Sequence, residues 1–302
     1  MAGLPVTQST TTGAAGTAAD VHALFRGFSV ELSAGDKALD SAAAHLEPAA
    51  DVYVNWLPDN NHHRSVAAAA KLRNAGLNPV PHIAARYLTG QTQLADFLAR
   101  LAGEAGVRRV LTIGGDTETA AGPFDSSLRM LETGLFQKYG VTEIGIAGYP
   151  EGNPRISGAA LDAALVGKLD YARRESLSPY VVTQFCFEAA PIVAWIQKLR
   201  GLGYDVPVRV GLAGPAGLAT LMKFALRCGI GNSIKALSLR GPAIARLLTE
   251  AGPERVIDGL AAAAAATPNL GIAGLHFFAF GGFVRTADWA RAAARDSAQA
   301  RR

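Results

Sequence analysis

Eight times along this chain, a short apolar run rich in Val, Ile, Leu or Phe gives way to a turn and then to a segment with helical spacing. The strand-like runs cover residues 27–33, 51–57, 77–83, 109–113, 143–148, 180–185, 206–212 and 272–278. Helices are predicted over 35–46, 64–74, 91–105, 126–139, 158–174 and 190–202, with several more within 216–262 and a closing one over 287–300. The segment 91–105 has the plainest period, since Leu94, Phe97, Leu98 and Leu101 fall on one helical face. Strands that alternate with helices pair in parallel, because a helix is the crossover that parallel pairing needs. Eight such units predict an α/β fold, a closed (β/α)8 TIM barrel with extra helices after the seventh strand. An open doubly wound sheet would want Gly-x-Gly-x-x-Gly after its first strand, and none stands there. Gly114-Gly115-Asp116 does not continue into that pattern, and no Gly-Lys-Ser/Thr phosphate loop occurs.

The 302 residues are 49% apolar and 18% charged, enough to bury a large core without staples. Residues 26–302 are expected to form one barrel domain. Residues 1–25 read as a partly disordered tail ending in a short helix near Ala19–Phe25, without the charged start and apolar core of a secretory signal. The net charge of +4 is scattered, and no basic stripe interleaves with aromatics, so nucleic acid is not an expected partner. No window approaches the ~20 apolar residues of a membrane span. Cys186 and Cys228 lie in apolar surroundings and read as buried free thiols of a reducing, cytoplasmic compartment. The apolar helices leave room for a homo-oligomer.

In a barrel of this kind the ends of the strands line one mouth, where chemistry is placed. The ends present Glu31, then Asn55 and Trp56, then His82, then Gly114, Gly115 and Asp116, then Tyr149, Gln184, and His276 among phenylalanines. One carboxylate suited to proton donation, one acidic anchor, a histidine, an amide and several aromatic faces suit a flat heteroaromatic ligand. Glu31 in an apolar strand reads as a desolvated acid whose raised pKa keeps it protonated near neutrality. The glycines before Asp116 let backbone N–H groups approach a ligand. Glu151 is expected in solvent. The tandem His62-His63 reads as a helix start capped by Asn, in preference to a metal site, because matching ligand spacing is not seen elsewhere.

Pro81-His82, Gly115-Asp116, Tyr149-Pro150-Glu151, Thr183-Gln184-Phe185 and His276-Phe277, in this order and at successive strand ends, resemble the 5,10-methylenetetrahydrofolate reductase family. The resemblance covers about residues 27–285. It implies a flavin-dependent barrel of one-carbon metabolism and methionine biosynthesis, passing hydride from NAD(P)H through FAD to 5,10-methylenetetrahydrofolate. By resemblance, Glu31 is the acid that opens the folate ring, Asp116 contacts the pterin near the flavin, and Gln184 orients folate or nicotinamide. Asn55, Trp56, His82, Gly114, Gly115 and Tyr149 match flavin contacts. Phe187, Phe280 and Arg285 stand on the folate side.

The chain also departs from the family pattern. Gly114 replaces the family's Arg after the fourth strand, and Asn153 replaces a His. Lys168, Arg173 or Arg174 would have to hold the cofactor phosphates. The eighth strand ends in Phe280-Gly281-Gly282 where Leu-Asn-Arg is usual, so that Arg285 would take the Arg's place. Three other readings stay open: a flavin-independent reductase, a pterin-binding methyltransferase, and a non-catalytic folate binder.

Overall fold

The computed structural model describes residues 17–57, 61–228, 252–267 and 269–300. Eight parallel strands close in sequence order: β1 (Ser29–Ser33), β2 (Asp51–Asn55), β3 (Asn78–Ala84), β4 (Arg109–Ile113), β5 (Glu143–Gly148), β6 (Ser178–Thr183), β7 (Val208–Ala213) and β8 (Ile272–Phe278). The expected TIM barrel is what the chain forms.

Closure follows from a side-chain period of two. Val30, Leu32, Val52, Val54, Ile83, Val110, Ile144, Ile146, Val181, Val210, Leu212, Leu275 and Phe277 turn outward and merge with the helix faces into one core. The alternate positions face the axis, where Tyr53, Val80, Leu111, Tyr180 and Val182 form a separate cluster. The helix Gln91–Ala105 buries Leu94, Phe97, Leu98, Leu101 and Ala105 and ends at Gly106 in a left-handed cap, as its spacing predicts.

Some elements differ from the sequence reading. The segment 35–46 forms a 3-10 turn, Lys37–Asp40, and a single α turn, Ala42–His45, instead of one helix. The segment 126–139 divides into Ser127–Leu131 and Leu135–Lys138, because Gly134 takes φ +71° between them. The short helix expected near Ala19–Phe25 does form, over Ala18–Phe25: Thr17 and Asp20 cap it reciprocally, and its Phe25 stacks on Phe277 at 6.3 Å between ring centroids. Residues 1–16, and 229–251 of the segment after β7, lie outside the described residues; within that segment the helices Leu218–Cys228 and Glu254–Ala266 are described. Among the described residues no helix is long and apolar enough to cross a membrane.

Along the axis the barrel is layered. The floor is ionic: Asp51 Oδ2 accepts from Arg109 Nη1 at 2.6 Å and Arg209 Nη2 at 2.9 Å, and Arg109 Nε donates to Glu143 at 2.8 Å. Asn78 Nδ2 donates to the other Asp51 oxygen. Above it, the Tyr53 hydroxyl donates to the Tyr180 hydroxyl at 3.1 Å, and burial pushes the Tyr53 pKa up to about 12. Gly145 makes room for this layer, since a Cβ there would lie 2.8 Å from the Tyr180 ring. The third layer, at the carboxyl end, holds the candidate site.

Replacing Asp51 by Ala would leave two inward guanidiniums without their shared acceptor. The expected loss is roughly 3–5 kcal/mol of stability, read as a lower urea midpoint.

Candidate active site at the carboxyl end of the barrel

Glu31 is the hub of the third layer. Its Oε1 accepts from Asn55 Nδ2 at 3.0 Å, while Oε2 faces His82 Nε2 at 3.4 Å and His276 Nε2 at 3.6 Å. All four residues occupy axis-facing positions on β1, β2, β3 and β8, so strand register alone brings them together. The Tyr53 ring lies 4.4 Å from the His276 ring and fixes its plane.

The electrostatics correct one expectation. Burial is the largest influence on Glu31 and pushes its pKa up, but the two imidazoles and Asn55 together outweigh it, and the net shift is downward. Glu31 is therefore not a carboxylic acid kept neutral by desolvation. His82 is shifted down as well, chiefly by burial, with Glu31 opposing.

Several buried polar atoms at this end have no hydrogen-bond partner: Glu31 Oε2, Asn55 Oδ1, His82 Nε2, His276 Nε2, and both Gln184 side-chain atoms. Gln184 follows β6, its backbone N–H bonded to Gly148 O at 2.8 Å. Buried polar atoms are normally paired, so an unpaired group of this size marks a surface shaped to receive polar atoms from a ligand.

Beside Gln184 stands an aromatic wall. Phe185 lies 5.1 Å from Phe280 and 5.7 Å from Phe187, and Phe224 stacks on Phe280 at 4.4 Å. Phe280 takes φ +48° at the turn after β8. Arg285 is exposed, and its guanidinium folds over Gly282, one turn from this wall. Glu151 is not in open solvent. It lies near the buried Cys186 thiol, which donates to Gln184 O at 3.9 Å and whose pKa is driven far up by burial and then by this carboxylate.

The β4 side is differently occupied. Gly115 has φ +93°, and a Cβ there would lie 3.1 Å from the Tyr87 ring. The Tyr87 hydroxyl donates to the carboxylate of Asp116, which is exposed, while Arg155 Nη1 bonds the Asp116 carbonyl at 3.2 Å. Gly114 O accepts from the Arg86 backbone N–H. Trp56 is buried, packed on Tyr87 and Phe97. Asn153 closes its own loop by accepting from Arg155 N at 2.9 Å. Lys168 is buried in the helix Gly158–Arg174, its pKa brought down to about 8 by burial alone. Tyr149 lines a cavity of about 380 Å³ outside the barrel, between that helix and Ala189–Gly201, together with Trp195, Leu165 and the Lys198–Asp162 ion pair.

The tandem histidines begin a helix whose Asn61 side chain caps Arg64 N at 3.2 Å, as expected. The fold also brings Asp96 against them, a neighbour that linear spacing did not reveal. Gln93 Oε1 is held by Thr89 N at 2.8 Å, so its Nε2 donates to His62 Nδ1 at 3.2 Å. His62 must then carry its proton on Nε2 and donate to Asp96 at 2.8 Å, which leaves that nitrogen no lone pair for a metal.

The methylenetetrahydrofolate reductase family model matches residues 32–234. The chain belongs to that family. Among solved structures, an uncharacterized protein from Clostridium thermocellum, described as binding two copies of 5-methyl-5,6,7,8-tetrahydrofolic acid, is similar with a TM-score of 0.55 at 10% identity, over 87% of this chain and 94% of that one. A multifunctional pyruvate carboxylase from Rhizobium etli aligns over 92% of this chain and 28% of its own, at 10% identity and TM-score 0.45.

Family membership implies FAD. Of the residues expected to hold it, Trp56 is spent in packing, Asn153 in its turn and Lys168 inside a helix face, while Asn55 and His82 keep unpaired polar atoms at the mouth. The structure thus assembles Glu31, Asn55, His82 and Gln184 with Phe187 and Phe280 at one end, and leaves Trp56, Asn153 and Lys168 apart. Tyr87, Ser29 and Tyr53 were missed from sequence; Ser29 and Tyr53 lie two residues from Glu31 and Asn55 on the same strand face, and period two would have found them.

Cys186 is expected to resist a thiol reagent in the native protein and to react on unfolding, as followed by peptide mass mapping. Labelling of Cys186 in the folded chain would contradict its burial beside Glu151.

Proposed function

We propose that the protein interconverts 5,10-methylenetetrahydrofolate and 5-methyltetrahydrofolate, with hydride passing directly between NAD(P)H and the folate. The observation that carries this reading is the set of unpartnered buried polar atoms around Glu31 and Gln184, beside the phenylalanine wall. A pterin offers a flat face for the wall and ring nitrogens and an amide for the polar set. The Clostridium neighbour's described ligand supports folate as the class of molecule bound. The direct route is supported by the engagement of Trp56, Asn153 and Lys168 away from the mouth.

In this reading Glu31 delivers a proton to the folate nitrogen whose bond to the methylene carbon opens. The resulting iminium carbon takes hydride from the nicotinamide, and the proton remains on the nitrogen of the methyl product. Asn55 holds the other carboxyl oxygen so that Oε2 is the one presented. Gln184 orients the pterin, and the phenylalanines exclude water from the iminium. The protein supplies position and proton, worth on the order of 10²–10⁴ in rate for the proton step.

Two measurements test this. Anaerobic mixing of the purified protein with 5-methyltetrahydrofolate and NAD(P)+ should generate NAD(P)H absorbance, and the protein should show no flavin absorption before or after added FAD. A bound flavin that bleaches with the methyl donor would overturn the direct route. Glu31→Gln should lower folate-dependent turnover by about 10²–10⁴ while nicotinamide binding persists; methyl transfer to a thiol or corrinoid without nicotinamide oxidation would point to a methyltransferase instead.

A further inference from the structure

Direct hydride transfer needs the nicotinamide and the pterin together at the mouth, and a dinucleotide then has its adenosine half to place elsewhere. The cavity of about 380 Å³ between the helices Gly158–Arg174 and Ala189–Gly201 is a place the fold provides. Both helices start at the carboxyl end of the barrel, because they follow β5 and β6, and their N-terminal turns line the cavity. Its back wall is the end of β5. Ile144 and Ile146 turn outward into the helix core, so Gly148 takes the outward register and Ala147 the inward one. A Cβ at Gly148 would lie 2.8 Å from the Trp195 ring, and its absence lets the indole reach the strand. At the same level Gly148 O accepts from the Gln184 backbone N–H at 2.8 Å. The end of β5 and the Tyr149-Pro150 turn are therefore what lies between this cavity and Gln184.

The lining decides the class of occupant. The volume falls in the range of about 300–1,000 Å³ that small-molecule pockets occupy. Trp195 offers an aromatic face, and Leu165 and Pro191 add apolar walls; base–aromatic stacking suits such a surface. Lys198 Nζ donates to Asp162 Oδ2 at the half-exposed rim. A carboxylate there can accept from ribose hydroxyls, and an ammonium can meet a phosphate oxygen. Gly158, the first residue of a 17-residue helix, lines the same cavity and brings the positive end of the helix dipole to it. An acyl chain would leave the ion pair and the helix start unused. A nucleoside that carries a diphosphate uses the aromatic face, the rim and the helix start together.

We propose that this cavity seats the adenosine half of the nicotinamide dinucleotide, with the base against Trp195 and the ribose at Asp162. The diphosphate passes the start of the helix Gly158–Arg174 and crosses the Tyr149-Pro150 turn toward Gln184. The use of the site rests on the reductase reading, whereas binding of the adenosine half is measured without turnover.

The test titrates the full-length protein with ADP-ribose, which carries the adenosine and diphosphate but no nicotinamide, by isothermal calorimetry. The parent is expected to bind it, and Trp195→Ala to weaken binding by about tenfold or more, the scale of one lost base–aromatic stack. Ala194 is exposed and lines the cavity, so Ala194→Phe fills it from the solvent side without entering the core. That variant should keep the parent's thermal midpoint and lose ADP-ribose binding. In turnover it should raise KM for NAD(P)H by about tenfold or more and leave KM for the folate unchanged. A parent that does not bind ADP-ribose, or an Ala194→Phe protein that binds it as the parent does, would overturn the proposal. Displacement of ADP-ribose by FAD at lower concentration than by NADH or NADPH would overturn it too, since the cavity would then belong to a flavin nucleotide. If ADP-ribose binds and Ala194→Phe abolishes it, yet no folate-linked nicotinamide turnover exists, the site stands and the reductase reading fails.

Discussion

Every second side chain of a closed parallel sheet must point at the axis, and in this chain many of those positions are polar. Asp51, Arg109, Glu143 and Arg209 can exist there only because they neutralise one another, and Glu31 can exist above them only because Asn55 and two imidazoles surround it. The outward face has the reverse character, with branched aliphatic residues that merge into the helix core. The two-residue period therefore does both jobs at once: it seals the barrel against its helices and assembles a charged column inside it.

Within that column, the layers differ in what they leave unsatisfied. The floor closes its own hydrogen bonds, whereas the mouth leaves Glu31, His82, His276, Asn55 and Gln184 each with an open polar atom. The aromatic wall beside Gln184 is built from residues far apart in sequence, Phe187 after β6, Phe224 after β7 and Phe280 after β8, and gives these atoms a dry edge. On the opposite side Tyr87 packs against the glycine turn and ties down Asp116.

Much of this was legible before any coordinates. Strand order, the helix face of 91–105, the helix over 158–174, and the gathering of Glu31, Asn55, His82 and Gln184 all follow from period and from the rule that strand ends share one mouth. What could not be read was the direction of the Glu31 shift, because it depends on imidazoles from β3 and β8 that register alone brings within reach. Trp56 and Lys168 were misplaced for a related reason: a residue one step past a strand end, or on a helix, can turn into the packing instead of the mouth, and composition does not say which. The Asp96 carboxylate beside His62 belongs to another helix altogether, and only helix packing reveals it.

The Tyr53–Tyr180 hydroxyl pair lies between the floor and the mouth. Both phenols stay neutral far above physiological pH, so this layer adds no charge of its own between floor and mouth. A neutral layer in a low-dielectric interior does not screen, so a charge removed from the floor is felt at the mouth as well as in the stability of the barrel.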